Sequence, residues 1–177
     1  FGDRIMVVQD GQSLTYAEGF AKAAALADAL RDRFSVRAGT KVAVVMSNRI
    51  EWIISMLAIT AVGGVAALVN SRGVAEEMLR AIETAQCELV IMDAERAAII
   101  AAEKPDPVWP RIIVGASALR MSRDADYSEL TVPCTDFEFL PDEMGTEEGG
   151  IVLFTSGTTG FPKAALLSHG ALAHSVA

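Results

Sequence analysis

Short branched apolar runs alternate along the chain with longer stretches whose apolar residues recur at helical spacing, and this alternation predicts most of the elements. Ile5 to Gln9 reads as a strand, Asp10-Gly11 as a hairpin turn, and a second short strand ends near Leu14. Thr15 and Glu18 have the spacing of a capping box. They open a helix in which Tyr16, Phe20, Ala23, Ala27, Leu30 and Phe34 fall on one face, which would put its aromatic positions in the core. After a turn at Arg37-Ala38-Gly39 the order is strand Val42 to Met46, helix Arg49 to Val62, strand Val65 to Val69 and helix Ala75 to Gln86. Strand Leu89 to Met92, helix Ala94 to Ala102 and strand Ile112 to Val114 follow. Near-continuous apolar strands joined by helices predict an α/β fold, a mostly parallel sheet flanked by helices on both faces.

The uncharged stretch from Trp52 to Ser71 meets the length of a membrane-spanning helix. Gly63-Gly64 interrupts it, Asn48 and Glu51 have the spacing of a second capping box before it, and Val65 to Val69 is of strand type. A helix packed against two surfaces and feeding a buried strand accounts for the stretch, and no transmembrane segment is expected.

From Gly115 to Gly149 the chain turns polar and acidic, with a short helix predicted around Tyr127 to Leu130. Glu147-Glu148 reads there as part of a solvated run rather than as a catalytic pair. Strand Ile151 to Phe154 leads into a glycine-rich segment, and strand Ala164 to Leu167 leads out of it. The predicted organisation is an α/β sheet lobe over 1–114, an acidic connector over 115–149, and a strand-loop-strand over 150–177 that starts a second lobe.

A formal net charge of -8 and the absence of any cluster of lysine or arginine with aromatics exclude nucleic acid as a partner. A phosphate must then be held by a local device working against the general field. Cys87 and Cys134 lack metal-ligand spacing and read as packed thiols. No basic, then apolar, leader is visible, so a cytoplasmic location is the default expectation.

The segment Thr155-Ser156-Gly157-Thr158-Thr159-Gly160-Phe161-Pro162-Lys163 supplies that local device. Gly157 and Gly160 permit backbone angles closed to other residues, so successive N–H groups can turn toward one anion. Four hydroxyls, on Thr155, Ser156, Thr158 and Thr159, can donate to phosphate oxygens, and Lys163 adds a compact positive charge. The ligand implied is a polyphosphate. A Walker A loop would require Gly-Lys followed by Ser or Thr at the start of a helix. Here Lys163 follows Pro162 and precedes an apolar run, which argues a loop between two strands and against a P-loop kinase or GTPase.

Phe154 to Lys163, followed by Leu167-Ser168-His169, closely resembles the AMP-binding signature of the adenylate-forming superfamily, which includes acyl-CoA synthetases, adenylation domains of peptide synthetases and luciferases. Leu14-Thr15-Tyr16-Ala17-Glu18, Gly39 to Val44, Asn48 and the stretch Ala58 to Val69 resemble the N-terminal region of the same enzymes. Ala164 stands where a glycine commonly follows the lysine, and Ser71 where a proline commonly follows the asparagine. Neither departure touches a phosphate donor.

The resemblance implies that ATP, accompanied by Mg2+, activates a carboxylic acid as an acyl-adenylate, and that coenzyme A then takes the acyl group. Thr155, Ser156, Gly157, Thr158, Thr159, Gly160 and Lys163 are the implied ATP-binding residues; no catalytic residue and no metal ligand is assigned in this chain. Asn70-Ser71-Arg72 and Glu76-Glu77-Met78 resemble the fatty-acyl branch, which implies a fatty-acid-CoA ligase. An aryl- or amino-acid-adenylating enzyme and a non-catalytic nucleotide-binding remnant are the alternatives. The family's adenine, ribose, metal and late lysine sites are not found among these residues. The chain is therefore expected to be part of a larger N-terminal domain, inactive alone, and a homo-oligomer is left open. His169 reads as a helix-start or packed histidine, and His174 as structural or exposed.

Overall fold

The computed structural model describes residues 2–115, 124–133, 145–155 and 163–175. The chain opens with a hairpin of β1 (Ile5–Gln9) and β2 (Gln12–Thr15). Asp10 and Gly11 both have positive φ, 50° and 78°, as a two-residue turn between twisted strands requires. Thr15 then caps helix α1 (Tyr16–Arg33): its Oγ1 accepts from the Glu18 N–H at 3.2 Å, and Glu18 Oε2 accepts from the Thr15 N–H at 2.8 Å. The predicted capping box is formed, and its hydrogen bonds hold the Glu18 carboxyl below its ordinary pKa.

The buried face of α1 keeps Ala23, Ala27 and Leu30 of the expected one, with Phe34 packed against the core, but departs from it at Phe20. Gly19, Ala23, Leu26, Ala27 and Leu30 point inward, whereas Phe20 is 38% exposed and lies 6.2 Å from the Tyr16 ring, centroid to centroid. The reason is steric. A Cβ on Gly19 would come within 2.5 Å of Met6 Sδ, so helix and hairpin meet at the bare glycine, and the large rings are rolled to the rim.

Helix α2 (Ile50–Ala61) also starts differently from expectation. Its N-cap is Arg49, in extended backbone and without a side-chain cap, so the Asn48–Glu51 capping box does not form. Glu51 falls at the second helical position rather than the third and instead accepts from Arg49 Nε at 2.8 Å. The cap comes from far along the chain: Gln9 Oε1 accepts from the Ile50 N–H at 2.7 Å. As expected for an apolar helix with two partners, α2 lies between α1 and the sheet. Among the described residues no helix is long and apolar enough to cross a membrane.

Seven strands form the main sheet: β3 (Lys41–Val45), β4 (Val65–Leu68), β5 (Leu89–Asp93), β6 (Arg111–Val114), β7 (Asp124–Asp126), β8 (Gly149–Thr155) and β9 (Lys163–Ser168). Their spatial order is β7-β6-β5-β3-β4-β8-β9; every neighbouring pair is parallel except β8 and β9. Alternate side chains feed two cores. Val42 and Val44 face α1, α2 and the short α5 (Tyr127–Leu130), while Ala43 and Val45 face α3 (Ala75–Ala85) and α4 (Ala94–Glu103). The parallel sheet with helices on both faces is the fold predicted from the apolar pattern. The last strands, β8 and β9, continue the same sheet through β4.

Strand β7 was not predicted. It is three residues long, polar at both ends, and paired in register with β6, Arg111 opposite Asp124. Arg111 Nε and Nη2 donate to the two Asp124 carboxylate oxygens at 2.8 and 2.6 Å, with side chains only 1% and 2% exposed.

Gly63-Gly64, which argued against a membrane span, makes the turn from α2 to β4. A Cβ on Gly64 would lie 3.0 Å from Ile59 O and 3.1 Å from both Ile59 Cγ2 and Val36 Cγ1, in a site where Ile59 O already accepts from the Gly64 N–H at 2.9 Å. Gly64→Ala is expected to destabilise the protein by about 1–3 kcal/mol through overpacking. A denaturant titration that left the midpoint unchanged would remove this role.

Candidate functional site

The carboxyl ends of β3, β4, β5 and β8 lie on one edge of the sheet, because these strands run parallel. Strand β3 leads into α2 on one face and β5 into α4 on the other, so this edge is the switch point where open α/β sheets leave room for ligands. The glycine-rich segment leaves from the same edge. Thr155 ends β8 and Lys163 begins β9, the two are antiparallel partners, and both are exposed.

The structure thus brings two of the seven expected ATP-binding residues together, Thr155 and Lys163, as the last pair of the β8–β9 ladder before the connecting segment. Ser156, Gly157, Thr158, Thr159 and Gly160 lie outside the described residues. Lys163 opens a strand, not a helix, as the sequence reading required in setting aside a Walker A loop. Ser168 caps the short helix α6 (His169–His174), its hydroxyl accepting from the Ala171 N–H at 3.2 Å, and His169 is the helix's first residue.

A polar cluster at this edge escaped the sequence reading. Asp93, 3% exposed at the end of β5, accepts from the Ser47 N–H at 3.1 Å, the Ser47 hydroxyl at 3.4 Å, the Arg96 N–H at 2.9 Å and Arg96 Nη1 at 3.3 Å. Arg96 Nε donates to the Ser71 carbonyl at 3.1 Å. The loops leaving β3 and β4 are thus tied to the junction of β5 with α4. An aspartate at a strand-to-helix junction is an N-cap signal, which could have flagged Asp93 but not its partners.

Among the described residues no group of three or more histidine, cysteine, aspartate or glutamate side chains is placed to hold a metal ion. Cys87 is buried, and burial pushes its thiol up to about 12. The neutral thiol is a poor nucleophile, so iodoacetamide at pH 8 is expected to modify Cys87 only after denaturation. Mass spectrometry of peptides alkylated before and after unfolding checks this; rapid labelling in the native protein would contradict it.

A mostly parallel sheet between two helix layers, with Thr155 and Lys163 at its carboxyl edge on either side of the Ser/Thr/Gly-rich segment, defines an α/β domain of the kind that receives ligands at its strand ends. The chain belongs to the AMP-binding enzyme family, whose model matches residues 1–177. It is 30% identical over 173 residues to a medium/long-chain-fatty-acid–CoA/3-oxocholest-4-en-26-oate–CoA ligase of Mycolicibacterium smegmatis, covering 94% of this chain and 31% of that one. It is 28% identical over 168 residues to a 2-succinylbenzoate–CoA ligase of Bacillus cereus, covering 95% of this chain and 30% of the relative. Among solved structures, a protein of Rhodopseudomonas palustris provisionally named a long-chain-fatty-acid CoA ligase superposes with a TM-score of 0.82 at 27% identity, over 99% of this chain and 43% of that one. The chain spans about 30% of the length of these curated relatives.

Proposed function

We propose that the longer protein containing this chain activates a fatty acid with ATP and transfers the acyl group to coenzyme A. The observation that carries this reading is the pairing of Thr155 with Lys163, which bracket the segment 156–162 at the ligand-receiving edge of the sheet. In the first step a carboxylate oxygen bonds to the α-phosphorus of ATP, and the bond from that phosphorus to the bridging oxygen breaks, releasing pyrophosphate. In the second a thiol sulfur bonds to the acyl carbon and AMP departs.

This chain's part is the first step. Negative charge grows on the leaving β- and γ-phosphates, and donors already oriented toward it lower the barrier without reorganising. Hydroxyls of Thr155, Ser156, Thr158 and Thr159 and the backbone N–H groups at Gly157 and Gly160 are the proposed donors, with Lys163 adding its charge across the hairpin mouth. Mg2+ bound with ATP would shield the same phosphates.

The similarity to a 2-succinylbenzoate–CoA ligase favours a second reading, an aryl acid in place of the fatty acid. Carboxylate-dependent exchange of pyrophosphate into ATP, measured on the longer protein with fatty, aryl and amino acids, separates the two. Exchange with fatty acids alone supports the first reading, and exchange with aryl acids alone supports the second. No exchange with any acid would leave a nucleotide-binding remnant.

A further inference from the structure

We propose that Arg96 is a positioning residue for the phosphate loop: through the Ser71 carbonyl it fixes the turn after β4, and that turn buttresses the start of the loop at Thr155. The inference rests on the reading of residues 155–163 as an ATP-phosphate site. Strands β4 and β8 are parallel and in register, Ala66 with Ile151, Ala67 with Val152 and Leu68 with Leu153. Strand β4 ends at Leu68, and the same register continued two residues past that end would set Asn70 beside Thr155, at the separation of neighbouring strands. Whatever holds residues 70–72 therefore bounds one side of the loop's origin.

Two devices hold that turn. One is local: Asn70 Oδ1 accepts from the Arg72 N–H at 3.1 Å. The other comes from helix α4, where Arg96 Nε donates to the Ser71 carbonyl at 3.1 Å. The Arg96 side chain is only 13% exposed and is aimed by two carboxylates: Nη1 donates to Asp93 Oδ2 at 3.3 Å and to Glu95 Oε2 at 2.6 Å. The two differ in what they can contribute. Asp93 is 4% exposed and is itself held by Ser47 at the end of β3, whereas Glu95 is 72% exposed. The rigid line thus runs from Ser47 through Asp93 and Arg96 to Ser71, across the ends of β3, β5 and β4, and stops one strand short of Thr155. A planar guanidinium can bond a carboxylate and a carbonyl at the same time in fixed directions; an ammonium cannot.

Without Arg96 the turn would keep, among the described residues, the local Asn70–Arg72 bond. The loop's donors would then be ordered at the expense of nucleotide affinity. In the longer protein, Arg96→Ala is expected to weaken ATP binding about tenfold by titration calorimetry, the size of one hydrogen bond from a charged donor. Affinity for the carboxylic acid should change little, and the backbone amides of 71–73 should exchange hydrogen faster. Arg96→Lys should recover part of the loss, and Glu95→Gln should match the unaltered protein.

Unchanged ATP affinity in Arg96→Ala would overturn the proposal, as would equal losses of ATP and acid affinity. Should Arg96→Ala fail to fold, Arg96→Lys decides: unaltered affinity and unaltered exchange at 71–73 overturn it as well. Binding is measured without turnover, so absence of pyrophosphate exchange in an unaltered protein that binds ATP sinks the acyl-adenylation reading and leaves this test standing. An unaltered protein that does not bind ATP sinks both.

Discussion

Replacing both Thr158 and Lys163 by alanine in the longer protein is expected to lower the rate of carboxylate-dependent pyrophosphate exchange by at least about a hundredfold, the loss usual for even one preorganised donor to a developing oxyanion. The two side chains act at different places. Lys163 stands at the first position of β9, opposite Thr155, so its backbone is fixed by the ladder beside the segment 156–162. Thr158 belongs to the inserted segment and would donate to phosphate from within it. Both contributions grow as pyrophosphate leaves, so the rate at saturating ATP should fall along with affinity. Lys163 is exposed at the start of β9, and the melting temperature of the variant should stay close to that of the unaltered protein. Exchange that persists at the original rate would move the ATP phosphates away from this loop.

The second large effect concerns stability. Asp124→Ala should cost about 3–5 kcal/mol, because it leaves the guanidinium of Arg111 charged in a site where only 1% of its side chain meets water. Exchanging the pair for apolar residues, Arg111→Met with Asp124→Leu, should recover most of that loss, since both desolvation costs disappear together. A guanidinium chloride titration of the three proteins reads the result directly. A single variant as stable as the unaltered protein would mean that water reaches the pair and compensates the loss. The pairing has a topological use as well: it pins the three-residue β7 to the end of the sheet, where so short a strand has little else to hold its register.

The arrangement at the carboxyl edge has a common logic. Ligand-bearing loops there must be irregular, yet they must present donors at fixed positions. The sheet supplies fixed origins, Thr155 and Lys163 among them, and the Ser47–Asp93–Arg96–Ser71 line removes freedom from three neighbouring connections.

Much of this was written in short-range pattern. The Asp10-Gly11 turn, the Thr15–Glu18 box and the parallel-strand runs depend on residues within four positions of each other or on a local apolar run, and they appear in the structure nearly where the sequence put them. The strand-loop-strand with Lys163 at the start of β9 was legible for the same reason: Pro162 and the apolar run after it are local statements about backbone. What failed was decided over distance. The cap of α2 comes from Gln9, 41 residues away, while Asn48 and Glu51 missed each other by a one-residue shift in the helix start. The inward roll of α1 follows from the contact of Gly19 with Met6, which periodicity within the helix cannot reveal. Asp93 meets Ser47 across 46 residues because β5 lies beside β3, an order that no single strand encodes. By itself the sequence determined most of the elements and the fold class and singled out the segment proposed to hold phosphate, since each is a property of neighbouring residues. The tertiary structure alone decided the strand order, the buried Arg111–Asp124 pair and the clamp at the strand ends, because each depends on which distant groups are desolvated together and must therefore satisfy one another.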